Sequence, residues 1–498
     1  MYISCEKTDK YFLYRYIDSN TCICKISRIP YTAELFLESV KDQNSKFKGF
    51  KTNKLLKKYD FNNSKEFYEF KTKFENKVYG NVPDIYQYLS TVDINIENIK
   101  YLKIWSLDIE TYSEDDFPSV EKANKYPIIV INIHNIIDDK KYSWILDKEC
   151  KCSKKSKDNW EIKLYVNEKT MLSEFINFWK SNIKNIHILT GWNTKTYDIP
   201  YIFNRLKSEF GNDSEEMIKD FSPFKIVRAK TVRNRKTNEN EACYQIYGIP
   251  QLDYLNLFEK FPKEPYPSNK LEDICQIELG YGKLDHSKYN SFADFYNQDI
   301  NNFVEYNMID NSLIRDLDKK FKYINLAITI ALECRINYED IFSPVKCWEG
   351  LTYNELKKDN FYIYPRKSNY KEDYMGAYVM EPEKNLYEAI VSYDLTSLYP
   401  SVIIAGNISP ETIIENKENK DASIEKFLAG YSTKEIYGNN IISDPAGNLF
   451  IKDFQGVIPK IMKRLFENRV LSNNLKKKKQ KELVELKQKL KNIEGENK

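Results

Sequence analysis

The chain has 498 residues, room for about three or four domains with cores of their own. Charged residues make up 30% and hydrophobic residues 42%, the balance of a folded protein rather than a disordered tract. No apolar run approaches the ~20 residues that span a bilayer, and a net charge of +3 does not by itself argue for nucleic acid. Met1-Tyr2-Ile3-Ser4-Cys5 runs into charged Glu6-Lys7, so no secretory signal is expected. Nine scattered cysteines form no disulfide-like framework and suit a reducing cytosol, and the three histidines lack zinc-ligand spacing.

Residues up to about Tyr101 form a mixed region. Tyr11–Ile17 has the aromatic composition of a strand, and 21–26 reads as a second strand ending before Pro30. Residues 65–74 carry aromatics at helical spacing, the mark of a core-facing helix. Residues 102–110 read as a strand whose alternation puts Asp108 and Glu110 on one face. Two carboxylates at i and i+2 repel each other unless a cation lies between them, although acidic pairs on a solvated strand are also common. A further strand is expected at 128–133. Residues 186–191 read as a strand, followed by a loop through Asn193 and a helix through Ile202, Leu206 and Phe210. Asp198 sits just ahead of that helix and, two residues before Pro200, also fits an N-cap.

Two β-like runs between Ile226 and Gly248 flank a basic, Asn-rich turn region at 233–240, the pattern of a protruding hairpin. Residues 303–310 lie on a helix continuing through Leu317, where Tyr306 and Asp310, four apart, share a face. From Val391 an apolar strand ends on one carboxylate, Asp394, and a turn-like run with Tyr399 and Pro400 follows. Taken alone, Asp394 reads either as the cap of the next helix or as a metal ligand at a sheet edge. The run 461–470 and the Lys-rich stretch to Leu490 read as helix. Its lysines, 476–479, form either a solvated face or one turned to phosphates.

Asp108-Ile109-Glu110, then Asn193 with Tyr197-Asp198 and Pro200-Tyr201-Ile202, then Tyr306 with Asp310, resemble the three exonuclease motifs of family B DNA polymerases in order and spacing. Asp394-Leu395-Thr396-Ser397-Leu398-Tyr399-Pro400-Ser401 resembles the first polymerase motif of that family almost letter for letter. Tyr16-Ile17-Asp18-Ser19-Asn20, Phe342-Ser343-Pro344, Gly376-Ala377-Tyr378-Val379, Asn407-Ile408-Ser409-Pro410-Glu411-Thr412 and Gly456-Val457-Ile458-Pro459 add similarity to the T4-like phage branch. The resemblance covers essentially the whole chain.

It implies a mixed α/β, multidomain protein: an N-terminal domain at 1–101 joined by 321–365, a ribonuclease-H-like 3′→5′ exonuclease at 102–320, part of a palm at 366–455 and the start of the fingers at 456–498. It also implies two Mg²⁺ ions per site, with Mn²⁺ as a substitute. Asp108, Glu110, Asp198 and Asp310 would be the exonuclease ligands and Tyr306 would orient the attacking water. Asn193 and the hairpin residues Arg233, Arg235 and Lys236 would meet DNA. In the polymerase half, Asp394 and the Leu395 backbone would hold metal, while Ser397, Leu398, Tyr399 and Arg469 would face the nucleotide. Asn473 stands where relatives place a Lys on the triphosphate.

The Asp-Thr-Asp motif and the Lys before Asn-Ser-Leu-Tyr-Gly that complete such a site occur nowhere in the sequence. The expectation is therefore the N-terminal part of a replicative DNA polymerase in the cytoplasm of a host cell. It would act on primer–template and single-stranded DNA and dNTP, with a second polypeptide supplying the remaining palm, fingers and thumb. A sliding clamp and a single-strand-binding protein are further expected partners. The rival readings are a truncated DNA-binding or assembly subunit without catalysis of its own, and a stand-alone nuclease.

Overall fold

The structure, a computed structural model, describes residues 1–39, 45–114, 117–156, 159–233, 238, 240–365, 379–395, 397–418, 420, 422–430, 432 and 438–496. The chain divides into two compact units. The first comprises Met1–Glu34, Asp60–Glu69 and Val82–Gly350, and the second Leu35–Tyr59, Phe70–Asn81 and Leu351–Lys498.

The first unit opens with an antiparallel sheet of β1 (Tyr2–Lys7), β2 (Tyr11–Ile17) and β3 (Cys24–Pro30). β3 starts later than the expected 21–26 and runs on through Pro30. The cause is a turn in which the Asp18 carboxylate accepts from the Asn20 and Thr21 amides at 3.1 and 2.9 Å, so Thr21 is held out of the ladder. Pro30 is tolerated because β3 is an edge strand whose last residue needs no donor. The chain continues through β4 (Ala33–Glu38), β5 (Lys48–Gly49), β6 (Leu56–Phe61), α1 (Ser64–Lys73) and α2 (Asp84–Leu89).

The central sheet follows: β7 (Ile104–Thr111), β8 (Ile128–Asn135), β9 (Lys140–Leu146), β10 (Trp160–Tyr165) and, after α3 (Glu168–Asn182), β11 (Ile188–Thr190). Its order is β10-β9-β8-β7-β11, with β8 antiparallel to both neighbours and β11 parallel to β7. Every residue of β8 is buried, as befits a strand covered on both faces. One face carries Trp105, Tyr142 and Trp144, and α3 packs on it through Phe175 and Phe178 at ring separations of 4.5–6.2 Å. The opposite face carries Ser106, Asp108, Asn132 and His134, because residues paired across antiparallel strands share a face.

Next come α4 (Asp198–Phe210), α5 (Ser214–Lys219), the hairpin of β12 (Val227–Arg233) and β13 (Asn240–Ile246), α6 (Tyr254–Lys260), α7 (Leu271–Leu279) and α8 (Phe292–Gln298). The long α9 (Ile300–Phe321) covers the polar face of the sheet, and α10 (Tyr323–Cys334) and α11 (Pro344–Lys358) follow it.

The later part of the second unit contains β14 (Phe361–Tyr362), α12 (Leu398–Ala405), β15 (Ile413–Glu418), α13 (Ile424–Leu428), β16 (Ile441–Ser443), β17 (Asn448–Ile451) and the 40-residue α14 (Val457–Glu496). The strand expected to end on Asp394 does not form. Residues 379–395 have no regular structure, and Val391, Tyr393 and Leu395 are exposed. A strand needs ladder partners for its amides, and among the described residues none pairs with this run. No helix among the described residues is long and apolar enough to cross a membrane.

Candidate active site

β7 is the sheet's central carrier of chemistry. Leu107 and Ile109 are buried in the apolar core and lock its register, which leaves Asp108 and Glu110 together on the polar face. Both keep part of their surface open to solvent.

The β11–α4 connection brings in a third carboxylate. Gly191, at φ +155°, passes so close to β7 that an added Cβ would lie 1.7 Å from Thr194 Oγ1 and 2.5 Å from the Leu107 carbonyl. Thr194 Oγ1 donates to that carbonyl at 3.1 Å. The buried Asp253 carboxylate accepts from the amides of Asn193 (3.2 Å), Lys195 (3.0 Å) and Leu255 (3.0 Å), which shapes the loop. Asp198 is the first residue of α4, and its Oδ1 accepts from the Ile109 amide at 2.9 Å.

α9 supplies the rest. Asp310 and Tyr306 are 4% exposed on its sheet-facing side. Single carboxylate oxygens of Asp108, Glu110 and Asp310 lie within 4.8 Å of one another. The fourth expected ligand, Asp198, stands outside that group, since the buried Ile109 amide needs an acceptor and Asp198 provides it. Lys283 Nζ pairs with Asp310 Oδ2 and lies 5.4 Å from the centre of the Tyr306 ring.

The electrostatics of this cluster are strained. Burial, then the Asp310 carboxylate, pushes the Asp108 carboxyl up to about 7 against the pull of Lys283. Burial and Asp108 raise Glu110 and Asp198 well above the usual range. Burial also raises Asp310 despite its Lys283 partner. Burial alone would lower Lys283, but Asp310, Tyr306 and Glu110 together hold its ammonium charged.

Asp108 Oδ2 and Asp310 Oδ1 are buried with no hydrogen-bond partner among the described residues. Hard oxygen donors, converging and unpartnered, fit a divalent cation of the Mg²⁺ or Mn²⁺ kind.

A pH dependence follows. Between pH ~4, the pKa of an unfolded aspartate, and ~7, the folded state binds protons that the unfolded state has released. In EDTA the melting temperature is therefore highest at the acid end of that window and falls as pH rises through it. Asp108→Asn should flatten the fall, and Mg²⁺ should raise the melting temperature most at pH 8, where no proton competes. Scanning calorimetry from pH 5 to 8 checks all three. A fall of equal slope in Asp108→Asn would refute the assignment.

The remaining expected residues fall elsewhere. Asn193 is exposed at the loop tip, with φ +67° and its Oδ1 accepting from Thr196 Oγ1 at 2.6 Å. Arg233 ends β12, while Arg235 and Lys236 lie outside the described residues. So do Thr396, Gly376, Ala377, Tyr378 and the rest of 366–378. In the second unit Asp394, Leu395, Leu398 and Tyr399 are exposed. Arg469, on α14, donates to Ser397 Oγ at 2.8 Å, so two residues 72 positions apart that were expected to face one nucleotide do meet.

Sequence reading missed Lys283 and Asp253. Neither had a signal beyond its neighbours: Lys283 follows Gly280-Tyr281-Gly282, a turn pattern, and Asp253 precedes a helix it caps.

The mixed sheet, with its carboxylates on β7 and on a covering helix, defines a ribonuclease-H-like exonuclease domain. Residues 40–274 match the model of the DNA polymerase family B exonuclease domain, and residues 351–493 match that of DNA polymerase family B. The chain belongs to the family B DNA polymerases. It is 30% identical to the DNA-directed DNA polymerase of Escherichia phage RB69, over 94% of this chain and 53% of the relative. With the DNA-directed DNA polymerase of Enterobacteria phage T4 it shares 32% identity over 74% of this chain and 42% of the relative. With a DNA polymerase of Pyrococcus glycovorans it shares 24% identity over 76% and 43%. The chain thus spans about half the length of the curated relatives it matches. Domains of this family generally use divalent metal ions.

Proposed function

We propose that the first unit is a 3′→5′ proofreading exonuclease that shortens single-stranded DNA ends, within a replicative DNA-directed DNA polymerase. The observation that carries this reading is the trio Asp108, Glu110 and Asp310, within 4.8 Å of one another, with two buried carboxylate oxygens unpartnered among the described residues.

In this reading those three residues hold Mg²⁺, and Asp198, pinned to β7 by the Ile109 amide, completes the set. Two bound Mg²⁺ ions supply the charge that activates water and stabilises the leaving oxygen of a phosphodiester. The Tyr306 hydroxyl orients the water, and the Lys283 ammonium offsets the carboxylates' mutual repulsion and steadies Asp310. Phe117, 71% exposed, lies 6.2 Å from the Tyr197 ring beside Asp198 and offers a face on which an unpaired base can stack. Asn193 and the basic hairpin through Arg233, Arg235 and Lys236 complete the DNA-facing set.

The domain division at 101, 320, 365 and 455 belongs to the same reading, as does a polymerase half-site of Asp394, the Leu395 backbone, Ser397, Leu398, Tyr399 and Arg469. DNA synthesis then draws on a second metal-holding aspartate outside this half-site.

The test is digestion of a 5′-labelled single-stranded oligonucleotide by the purified chain with Mg²⁺, beside an EDTA control. A ladder shortening from the 3′ end, abolished by EDTA, is the expected result. A folded chain that binds the oligonucleotide without cutting it would replace this reading with that of a DNA-binding subunit.

A further inference from the structure

The loop at 280–289 touches two members of the site at once. Its Lys283 pairs with Asp310, and three residues on, the His286 ring meets the Tyr306 ring nearly edge-on, with centroids 5.3 Å apart at 78°. The loop is held at both ends. At one end the Glu272 carboxylate sits against Gly282 and accepts from the Lys283 amide. At the other end Tyr289 donates to Asp299 Oδ2 at 2.7 Å and stacks on Phe295 at 4.6 Å.

Two more rings close on Tyr306 from α8. Phe292 and Phe295 approach it at 5.8 Å each, tilted 68° and 83°. His286 itself lies parallel to Phe295 at 5.9 Å. Three edge-on contacts from different residues, with Lys283 Nζ 5.4 Å from the ring centre, leave the phenol little freedom to tilt.

Resting on the exonuclease reading above, we propose that His286 is a positioning residue for it. With Phe292 and Phe295 it forms a ring cage that fixes the Tyr306 phenol, and through it the hydroxyl that orients the attacking water. The role is steric and dispersive, so it needs a flat ring at position 286 and no proton transfer. A hydroxyl displaced by a fraction of an ångström aligns water poorly, which slows the chemical step while leaving substrate binding intact.

The experiment is a double-mutant cycle on the whole chain, with a single-stranded oligonucleotide and Mg²⁺. His286→Ala should lower kcat about tenfold with KM changed less than about twofold, and His286→Phe should restore kcat to within about threefold. On a Tyr306→Phe background, His286→Ala should cost less than about twofold, because the hydroxyl it positions is already gone. An undiminished loss on that background, a change confined to KM, or no rescue by His286→Phe would each overturn the proposal.

A second readout does not depend on activity. With 3-fluorotyrosine placed at position 306, His286→Ala should shift the ¹⁹F resonance and His286→Phe should largely return it. An unmoved resonance rejects the cage. If the wild-type chain cut nothing, the exonuclease reading would fall, and this resonance would still decide whether His286 holds Tyr306.

Discussion

On the exonuclease reading, Asp108→Ala is expected to lower the rate of 3′→5′ degradation about 1,000-fold or more, a loss of about 4 kcal/mol of transition-state stabilisation. The size of the effect comes from the site's construction. Asp108 Oδ2 is buried without a hydrogen-bond partner among the described residues, so none of them competes for it. It lies with Glu110 and Asp310 inside 4.8 Å, a spacing whose repulsion is relieved by protonation and Lys283 in the metal-free protein and by a bound cation at higher pH. Removing one donor removes both a ligand and part of the charge that draws the ion in. Extra Mg²⁺ or Mn²⁺ should therefore recover only the part of the loss that comes from weaker ion binding. The same substitution relieves repulsion in the metal-free protein, so the melting temperature in EDTA at pH 8 should rise while activity collapses. Single-turnover kinetics beside calorimetry test the pair of results, and a variant within tenfold of wild type would remove Asp108 from the site.

Arg15→Met lowers the free energy of unfolding by about 3–5 kcal/mol. Arg15 lies on β2 with no exposed surface, among apolar and aromatic neighbours. Its guanidinium donates to the carbonyls of Ile183 (2.8 Å), Lys184 (3.1 Å), Ile186 (2.8 Å) and Gly248 (2.9 Å), and to Cys24 Sγ at 3.2 Å. Burial holds its pKa below the ordinary arginine value, a measure of what desolvation costs. Methionine fills much of the volume but strips the guanidinium donors from the buried carbonyls of Ile186 and Gly248 and from the half-buried carbonyl of Ile183, while the Lys184 carbonyl keeps its contact with His187 Nε2. Three of those carbonyls lead into β11, the strand that ends at the Gly191 loop, so the clamp also steadies the approach to Asp198. Arg15→Lys recovers only part of the loss, because one ammonium carries three donors against the five of a guanidinium. Urea unfolding should show a lower midpoint at unchanged slope, and a midpoint equal to wild type would contradict this account.

Much of the fold was legible from local pattern. The alternation of 102–110 is a strand, and it places Asp108 and Glu110 on one side of it. The spacing of Tyr306 and Asp310 is helical, and both sit on the covered side of α9. Asp198 shows where such reading divides. Its position at a helix start is encoded in its neighbours, but the amide its Oδ1 satisfies belongs to Ile109, 89 residues earlier. The strand expected before Asp394 has a suitable composition and no ladder partner among the described residues, and composition alone does not make a strand.

By itself the sequence determined most element types, the strand before Asp394 excepted, and the family motifs, because periodicity and short spacing act within a few residues. Tertiary structure alone decided that Lys283 meets Asp310, that His286 meets Tyr306 and that Arg15 closes on four carbonyls. Those partners are set by which helix covers which face of the sheet and by where a loop is anchored. Buried charges and unpartnered amides acquire their partners only when distant segments pack together, and no local window of sequence contains that information.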